Sequence, residues 1–194
     1  MLLLAVGLVL FLGIHLVPTS PDLRTGLVER FGAIAYKVAF AVFSLAGLFL
    51  IIYGYHKLQI NPGKNVFFGD APSWLKHVSW LLMLPAMIAL VAAYVPSRIR
   101  TALKHPMLVA IKIWALAHLL VNWDLGSVLL FGSFLAYAVY DRISVKKRGA
   151  LGPLGAKQGG LVGDLVVLGV GVGLYVFMLK FGHAWLIGVP LLPA

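Results

Sequence analysis

Cysteine is absent from the 194 residues, and acidic residues are scarce. The absence of thiols excludes disulfide bonds, thiolate metal ligands and cysteine nucleophiles. The acidic residues all fall in predicted loops or at the ends of apolar runs, which argues against a buried carboxylate pair for acid–base catalysis. They are Asp22, Glu29, Asp70, Asp124, Asp141 and Asp164. A zinc or di-iron centre, which needs three or more ligands and commonly carboxylates, is disfavoured for the same reason.

Charge is also sparse, because 61% of the residues are hydrophobic and only 11% are charged. This composition predicts an all-α, polytopic membrane helix bundle with about six transmembrane helices, forming a single domain over residues 1–194. Spans of the bilayer hydrocarbon are predicted at Leu2–Val17, Tyr36–Tyr55, Val78–Val95, Pro106–Val121, Gly126–Tyr140 and Leu161–Phe181. They use most of the chain and leave no room for a soluble domain.

The net charge of +10 indicates membrane topology rather than a nucleic-acid partner. A nucleic-acid interface gathers its basic residues on one soluble face, whereas here they occupy the predicted loops. Most lie in the first, third and fifth loops, so the positive-inside rule places both termini outside the cytoplasm. We therefore expect an integral protein of the inner (plasma) membrane, with the lipid bilayer as its main partner.

Two segments carry local structural signals. In "PTSPDLRTGLVERFG" (Pro18 to Gly32), Ser20 at an N-cap position and Pro21 at the first helical position predict a short amphipathic helix at the cytoplasmic interface. In the last span, "GVGVG" lacks the strand and turn of a dinucleotide site. Its Gly169 and Gly173 instead predict close helix packing as a small-xxx-small pair.

The six histidines are the residues most suited to chemistry, because ionisable groups in or beside spans are costly and tend to be functional. Plain hydrogen bonding is favoured for His56, His77 and His183, near the interfaces. His15 and His118 lie within apolar sequence, where ligation is favoured. Neutral imidazoles without cysteine or carboxylate suit haem, which needs only one or two axial ligands between helices.

Small residues stand near the two embedded histidines, where they would affect the space available for a flat macrocycle. Gly13 precedes His15, and Ala115 and Ala117 flank His118. Such positions leave room for a haem, although helix packing explains them equally well.

Depth along the spans limits which histidines can share one iron. His105 and His118 are 13 residues apart on one predicted helix, which separates them by roughly 20 Å. Depth alone pairs His15 with His105, and His118 with His56 or His77. These alternatives remain open at this point.

Three stretches in one order resemble the NnrU family of integral membrane proteins over nearly the whole chain: "LFLGIHLVPTSPDLRTGLVERFGAIAYKVAFAVFSLAGL", "IRTALKHPMLVAIKIWALAHLL" and "FGSFLAYAVYD". The family is associated with denitrification and nitric oxide metabolism. It is related to the zeta-carotene isomerases, which are haem b membrane proteins similar to this chain at "GIHL" and at W-x-x-x-H. Carried over by motif, the axial ligands fall on His15 and His118, with His105 and His56 as alternatives.

The resemblance implies a haem b-binding membrane protein with a redox-gated or nitric oxide-linked role. An isomerase-like or redox enzyme acting on an apolar small molecule would fit, with a membrane redox partner or homo-oligomer. Trp114 would support His118, and Lys112 or Arg100 would meet the haem propionates.

Two other functions stay open. One is a non-enzymatic accessory or assembly protein for nitric oxide reduction. The other is an S-adenosylmethionine-dependent methyltransferase, through a distant resemblance to isoprenylcysteine-type enzymes. That motif is only partial here, because Lys104 stands where their arginine precedes His-Pro, and Arg142 to Gly160 lacks their cofactor region.

Overall fold

The computed structural model describes residues 1–152 and 154–192. Its helices are α1 (Leu2–Leu16), α2 (Pro21–Phe31), α3 (Ala33–Gln59), α4 (Ser73–Ala92), α5 (Arg98–Leu103), α6 (Pro106–Leu119), α7 (Leu125–Arg148), α8 (Leu161–Phe177) and α9 (His183–Ile187). A π-helical turn, Met178–Gly182, joins α8 to α9. Each of the predicted apolar runs is helical, so the all-α membrane bundle is confirmed.

Five helical segments in the described part of the chain are long and apolar enough to cross a membrane. They are Leu2–Thr19, Ala33–Gln59, Ser73–Ala92, Leu125–Arg148 and Leu161–Ile187. The remaining predicted span corresponds to α6, whose 14 residues extend over only about 21 Å at the usual helical rise. It is therefore shorter than the hydrocarbon core of a typical bilayer.

The short helix predicted after the first span is confirmed as α2. Pro21 is its first residue, Asp22 lies in its first turn, and Ser20 precedes it in an extended conformation. The Ser20 side chain makes no capping hydrogen bond, so proline and the early acidic residue mark the start of the helix.

The described chain divides into two compact units whose segments alternate along the sequence. The first unit comprises Met1–Asp70 and Asn122–Ser144, and the second comprises Ala71–Val121 and Val145–Ala194. Each unit contains candidate ligand histidines, so the two are described separately.

Glycines bring α1 and α3 into close contact within the first unit. A Cβ added at Gly47 would lie 2.7 Å from the Phe11 nitrogen, and one at Gly54 would lie 2.5 Å from the Leu4 nitrogen. From the other side, a Cβ at Gly7 would lie 2.9 Å from the Gly47 oxygen. These contacts are with backbone, so any side chain would push the helices apart. In a bilayer, such close packing is a main source of helix association.

A buried polar network fixes the start of α7 in the first unit. Asp124 is 9% exposed, and its Oδ1 accepts hydrogen bonds from Asn65 Nδ2 at 2.6 Å and the Ser127 backbone N–H at 2.9 Å. Its Oδ2 accepts from the Ser127 hydroxyl at 2.6 Å. The Tyr55 hydroxyl then donates to Ser127 Oγ at 2.9 Å. Asp124 therefore caps the first turn of α7 and holds the segment that contains Asn65. This role explains why an acidic residue stands next to an apolar run.

The predicted pairing of Gly169 with Gly173 is wrong within the described structure. A Cβ at either position would meet nothing within 4 Å, whereas one at Gly171 would lie 2.8 Å from the Ile88 Cα. Gly171 thus packs α8 against α4 in the second unit. Residues two positions apart in sequence differ by about 200° around a helix. Gly171, which lies between the predicted pair, therefore faces the opposite side of α8.

Candidate functional site

The histidines are distributed over both units. His15 and His56 belong to the first unit, and His77, His105, His118 and His183 belong to the second. The predicted ligands His15 and His118 therefore lie in different units, and each has its own surroundings.

His15 sits among aromatic rings at the end of α1. Its ring stacks on Phe11, with centroids 4.2 Å apart, and meets the edge of Phe40 at 5.0 Å. Its Nδ1 lies 2.6 Å from the Phe11 carbonyl oxygen. A carbonyl can only accept, so Nδ1 carries the proton and Nε2 carries the lone pair of the neutral ring. The Tyr137 hydroxyl also donates to the His15 carbonyl at 3.3 Å.

One polar atom near this aromatic cluster stands out. The Tyr36 ring lies 6.3 Å from that of Phe40. Its hydroxyl is buried and has no hydrogen-bond partner among the described residues. Since buried hydroxyls are normally hydrogen-bonded, the Tyr36 hydroxyl is an exception within the described structure.

His118 lies in the last turn of α6 and is half-buried. Its Nδ1 donates to the Trp114 carbonyl at 2.8 Å, so Nε2 again carries the lone pair. The Trp114 ring is 5.3 Å away and tilted by 52°. Trp114 therefore does contact His118, as the sequence predicts, and its backbone carbonyl sets the tautomer of the imidazole.

His183 is the neighbour of His118 that sequence reasoning missed. The two ring centroids are 6.4 Å apart, and the ring planes differ by 21°. His183 Nδ1 donates to the Val189 carbonyl at 2.7 Å, so this ring presents the same tautomer. A usable signal was present in the sequence. His183 follows the last apolar run, on the side of the membrane predicted for His118.

The other histidines lie outside these two clusters, and two of them are exposed. The side chain of His56 is exposed in the last turn of α3. His77 is exposed on α4, with its ring edge-on to Trp80 at 5.4 Å. His105 precedes the first turn of α6, and its carbonyl accepts from Leu108 and Val109. His105 and His118 thus lie at opposite ends of α6, as predicted.

The small residues thought to leave space for a macrocycle differ in their surroundings. A Cβ at Gly13 would meet nothing within 4 Å, so this position beside His15 is open. Ala115 and Ala117 are 0% exposed. Packing therefore explains the two alanines.

Arg100, predicted to meet haem propionates, instead holds a loop of the second unit. It is only 7% exposed, and its guanidinium donates to the carbonyls of Gly155 and Lys157, both at 2.6 Å. Asp164 secures the same helix, because its Oδ1 accepts from the backbone nitrogens of Arg98 at 2.7 Å and Ile99 at 3.1 Å. The propionate interpretation of Arg100 is therefore wrong, because its charge is already engaged by backbone oxygens.

This arrangement predicts that Arg100→Gln destabilises the protein. The substitution removes a buried cation and its charged hydrogen bonds, which should lower the free energy of unfolding by about 3 kcal/mol. In a thermal melt of the detergent-solubilised protein, the midpoint should fall by roughly 5–10 °C.

Arg98→Gln provides the matched control for that experiment. The Arg98 side chain is 69% exposed and makes a 3.7 Å ion pair with Asp164, so its loss should cost under about 1 kcal/mol. Equal melting midpoints for the two variants would refute the role given to Arg100.

The described side chains offer a metal ion only a limited set of donors. Groups of three or more histidine or carboxylate side chains that could hold an ion do not occur in the part of the chain that the structure describes. What remains is single and paired imidazoles with assigned tautomers. Such a donor set suits haem, since the macrocycle supplies the other ligands of the iron.

Comparison with known proteins agrees with the resemblance of the motifs. A family model described as NnrU protein matches residues 3–191. No curated protein and no solved structure matches the chain. Because the family match covers nearly the whole sequence and the fold is a bundle of membrane-length helices, the chain belongs to the NnrU family.

Proposed function

We propose that this NnrU-family chain is a b-type haem protein of the inner membrane with a redox-gated or nitric oxide-linked role. One observation carries the proposal. His15 and His118, embedded in apolar helices, each donate Nδ1–H to the carbonyl four residues earlier. Metal-ligating histidines characteristically donate their second nitrogen in this way, which orients the ring and makes the ligating nitrogen more basic.

The donor set favours haem over other cofactors. A structural or catalytic zinc ion requires three or four protein ligands, and the described residues provide no such group. A haem requires only axial ligands from the chain. The adjacent pair His118 and His183, both in the second unit, supplies two. The buried Tyr36 hydroxyl adds a polar point beside the His15 cluster.

Each residue would have a defined role. His118 would hold the iron from the last turn of α6, and the Trp114 carbonyl would keep its Nδ1 protonated. The aromatic rings of Phe11 and Phe40 would exclude water around His15. When bound, haem supplies a one-electron centre whose iron can take up nitric oxide or another small molecule. The lipid-facing helices would admit an apolar substrate directly from the bilayer.

The absorption spectrum of the purified wild-type protein tests this proposal. After expression with ample haem supply, a stoichiometric Soret band with low-spin features is expected, because two imidazoles produce a strong ligand field. Nitric oxide added to the reduced protein should then shift the spectrum. Absence of a Soret band would refute haem binding and favour a non-enzymatic accessory protein whose histidines only bond between helices.

A further inference from the structure

We infer that His183 is the second axial ligand, opposite His118, in a haem site built within the second unit. The inference rests on the proposed function and assigns a residue that neither the motif nor the depth argument selected. Its first support is distance. A metal–imidazole bond is about 2 Å long, and the bonding nitrogen lies about 1 Å from its ring centroid. Two imidazoles on opposite faces of one iron would therefore have centroids roughly 6 Å apart. The observed separation of His118 and His183 is 6.4 Å.

The second support is that both rings are prepared in the same way. Nδ1 of His118 donates to the Trp114 carbonyl, and Nδ1 of His183 donates to the Val189 carbonyl. Both rings therefore carry the lone pair on Nε2, the atom that would bind the iron.

The third support is the backbone conformation on either side of His183. The α-helical pattern changes to a π-helical turn at Met178–Gly182, directly before this histidine. One extra residue in a helix rotates all following side chains by about 100°, and π-helical turns are frequent at functional sites. Gly188 then adopts a left-handed conformation with φ of 81°, and the chain turns back so that the Val189 carbonyl reaches His183. This conformation is one that glycine adopts without strain.

The two ligands would be held with unequal firmness. His118 lies on α6 beside the fully buried Ala115 and Ala117. His183 begins a helix of five residues that has no buried member, and its neighbour Trp185 is 81% exposed. Little packing resists movement of such a helix. His183 would therefore be the less firmly held of the two imidazoles.

The test compares the haem spectra of His183→Gln, His15→Gln and His77→Gln with that of the wild type. Glutamine can still donate to the Val189 carbonyl but is a poor haem ligand, so His183→Gln should keep its fold. We expect it to retain haem, to change from low-spin to high-spin in the optical and paramagnetic resonance spectra, and to bind carbon monoxide faster when reduced. Added imidazole should restore the low-spin spectrum. His77, exposed on α4, is the control and should leave the spectrum unchanged.

The outcomes separate this inference from the proposed function. A low-spin spectrum in His183→Gln together with a high-spin spectrum in His15→Gln would overturn the assignment of His183 and retain haem binding by His15 and His118. A wild-type protein without haem would overturn both. A His183→Gln protein that has lost its haem and is not restored by imidazole would also count against the assignment of His183.

Discussion

Replacing His118 with alanine is expected to reduce the haem content of the purified protein more than about tenfold, the range seen when metal sites lose important interactions. His118 is common to both ligand pairs. The family resemblance pairs His118 with His15. In the structure, the ring centroids of His118 and His183 are 6.4 Å apart. Its loss would remove the ligand whose tautomer is fixed within α6, and any haem left behind should be high-spin. The pyridine haemochrome assay and the Soret absorbance per protein chain measure the effect.

His77→Ala is the control, because that side chain is exposed and edge-on to Trp80. The melting midpoint and monodispersity of each variant without haem show whether the fold has survived. An unchanged low-spin spectrum in a folded His118→Ala protein would contradict the prediction. The ligand would then move to His56 or His105, the alternatives that the sequence leaves open.

The second large effect is expected from Gly54→Val in the first unit. A Cβ at this position would lie 2.5 Å from the Leu4 nitrogen and 3.0 Å from the Leu4 Cα. The neighbouring atoms are backbone and cannot turn aside as a flexible side chain can, so α1 and α3 must separate. Overpacking usually costs 1–3 kcal/mol, and we expect about 3 kcal/mol or more here. The yield of monodisperse protein should fall, and so should the melting midpoint in detergent.

Gly13→Val is the matched control, since Gly13 is on the same helix pair and a Cβ there would meet nothing within 4 Å. Its melting midpoint should stay close to that of the wild type. If Gly54→Val were as stable as Gly13→Val, the close approach of α1 and α3 would not describe the protein in its membrane.

Much of the fold was predictable because hydropathy and helix signals act locally. Every predicted apolar run is a helix, and α2 begins at Pro21 as proposed. Family membership was also predictable, because its motifs stand in one order along the chain. Trp114 was correctly identified as a neighbour of His118, since residues four apart share a helix face.

Predictions about contacts between distant segments were less successful. The glycine that packs α8 against α4 is Gly171, between the two that the spacing suggested. Arg100 binds loop carbonyls instead of facing a cofactor. In both cases the residue type was correctly judged important. Its partner depends on how each helix is rotated about its axis, which a pattern of small or charged residues leaves undetermined.

The sequence by itself determined that this is an all-helical membrane protein of the NnrU family, without cysteine and with its few acidic residues in loops or at the ends of apolar runs. Those conclusions depend on composition and on short-range periodicity, which folding does not alter. Only the tertiary structure decided which groups meet. It brought His183 beside His118, used Asp124 to cap α7, and joined α1 to α3 through glycine. These contacts join residues that are distant in sequence. They depend on how each helix is rotated and packed, and the π-helical turn before His183 changes that rotation for the residues that follow it.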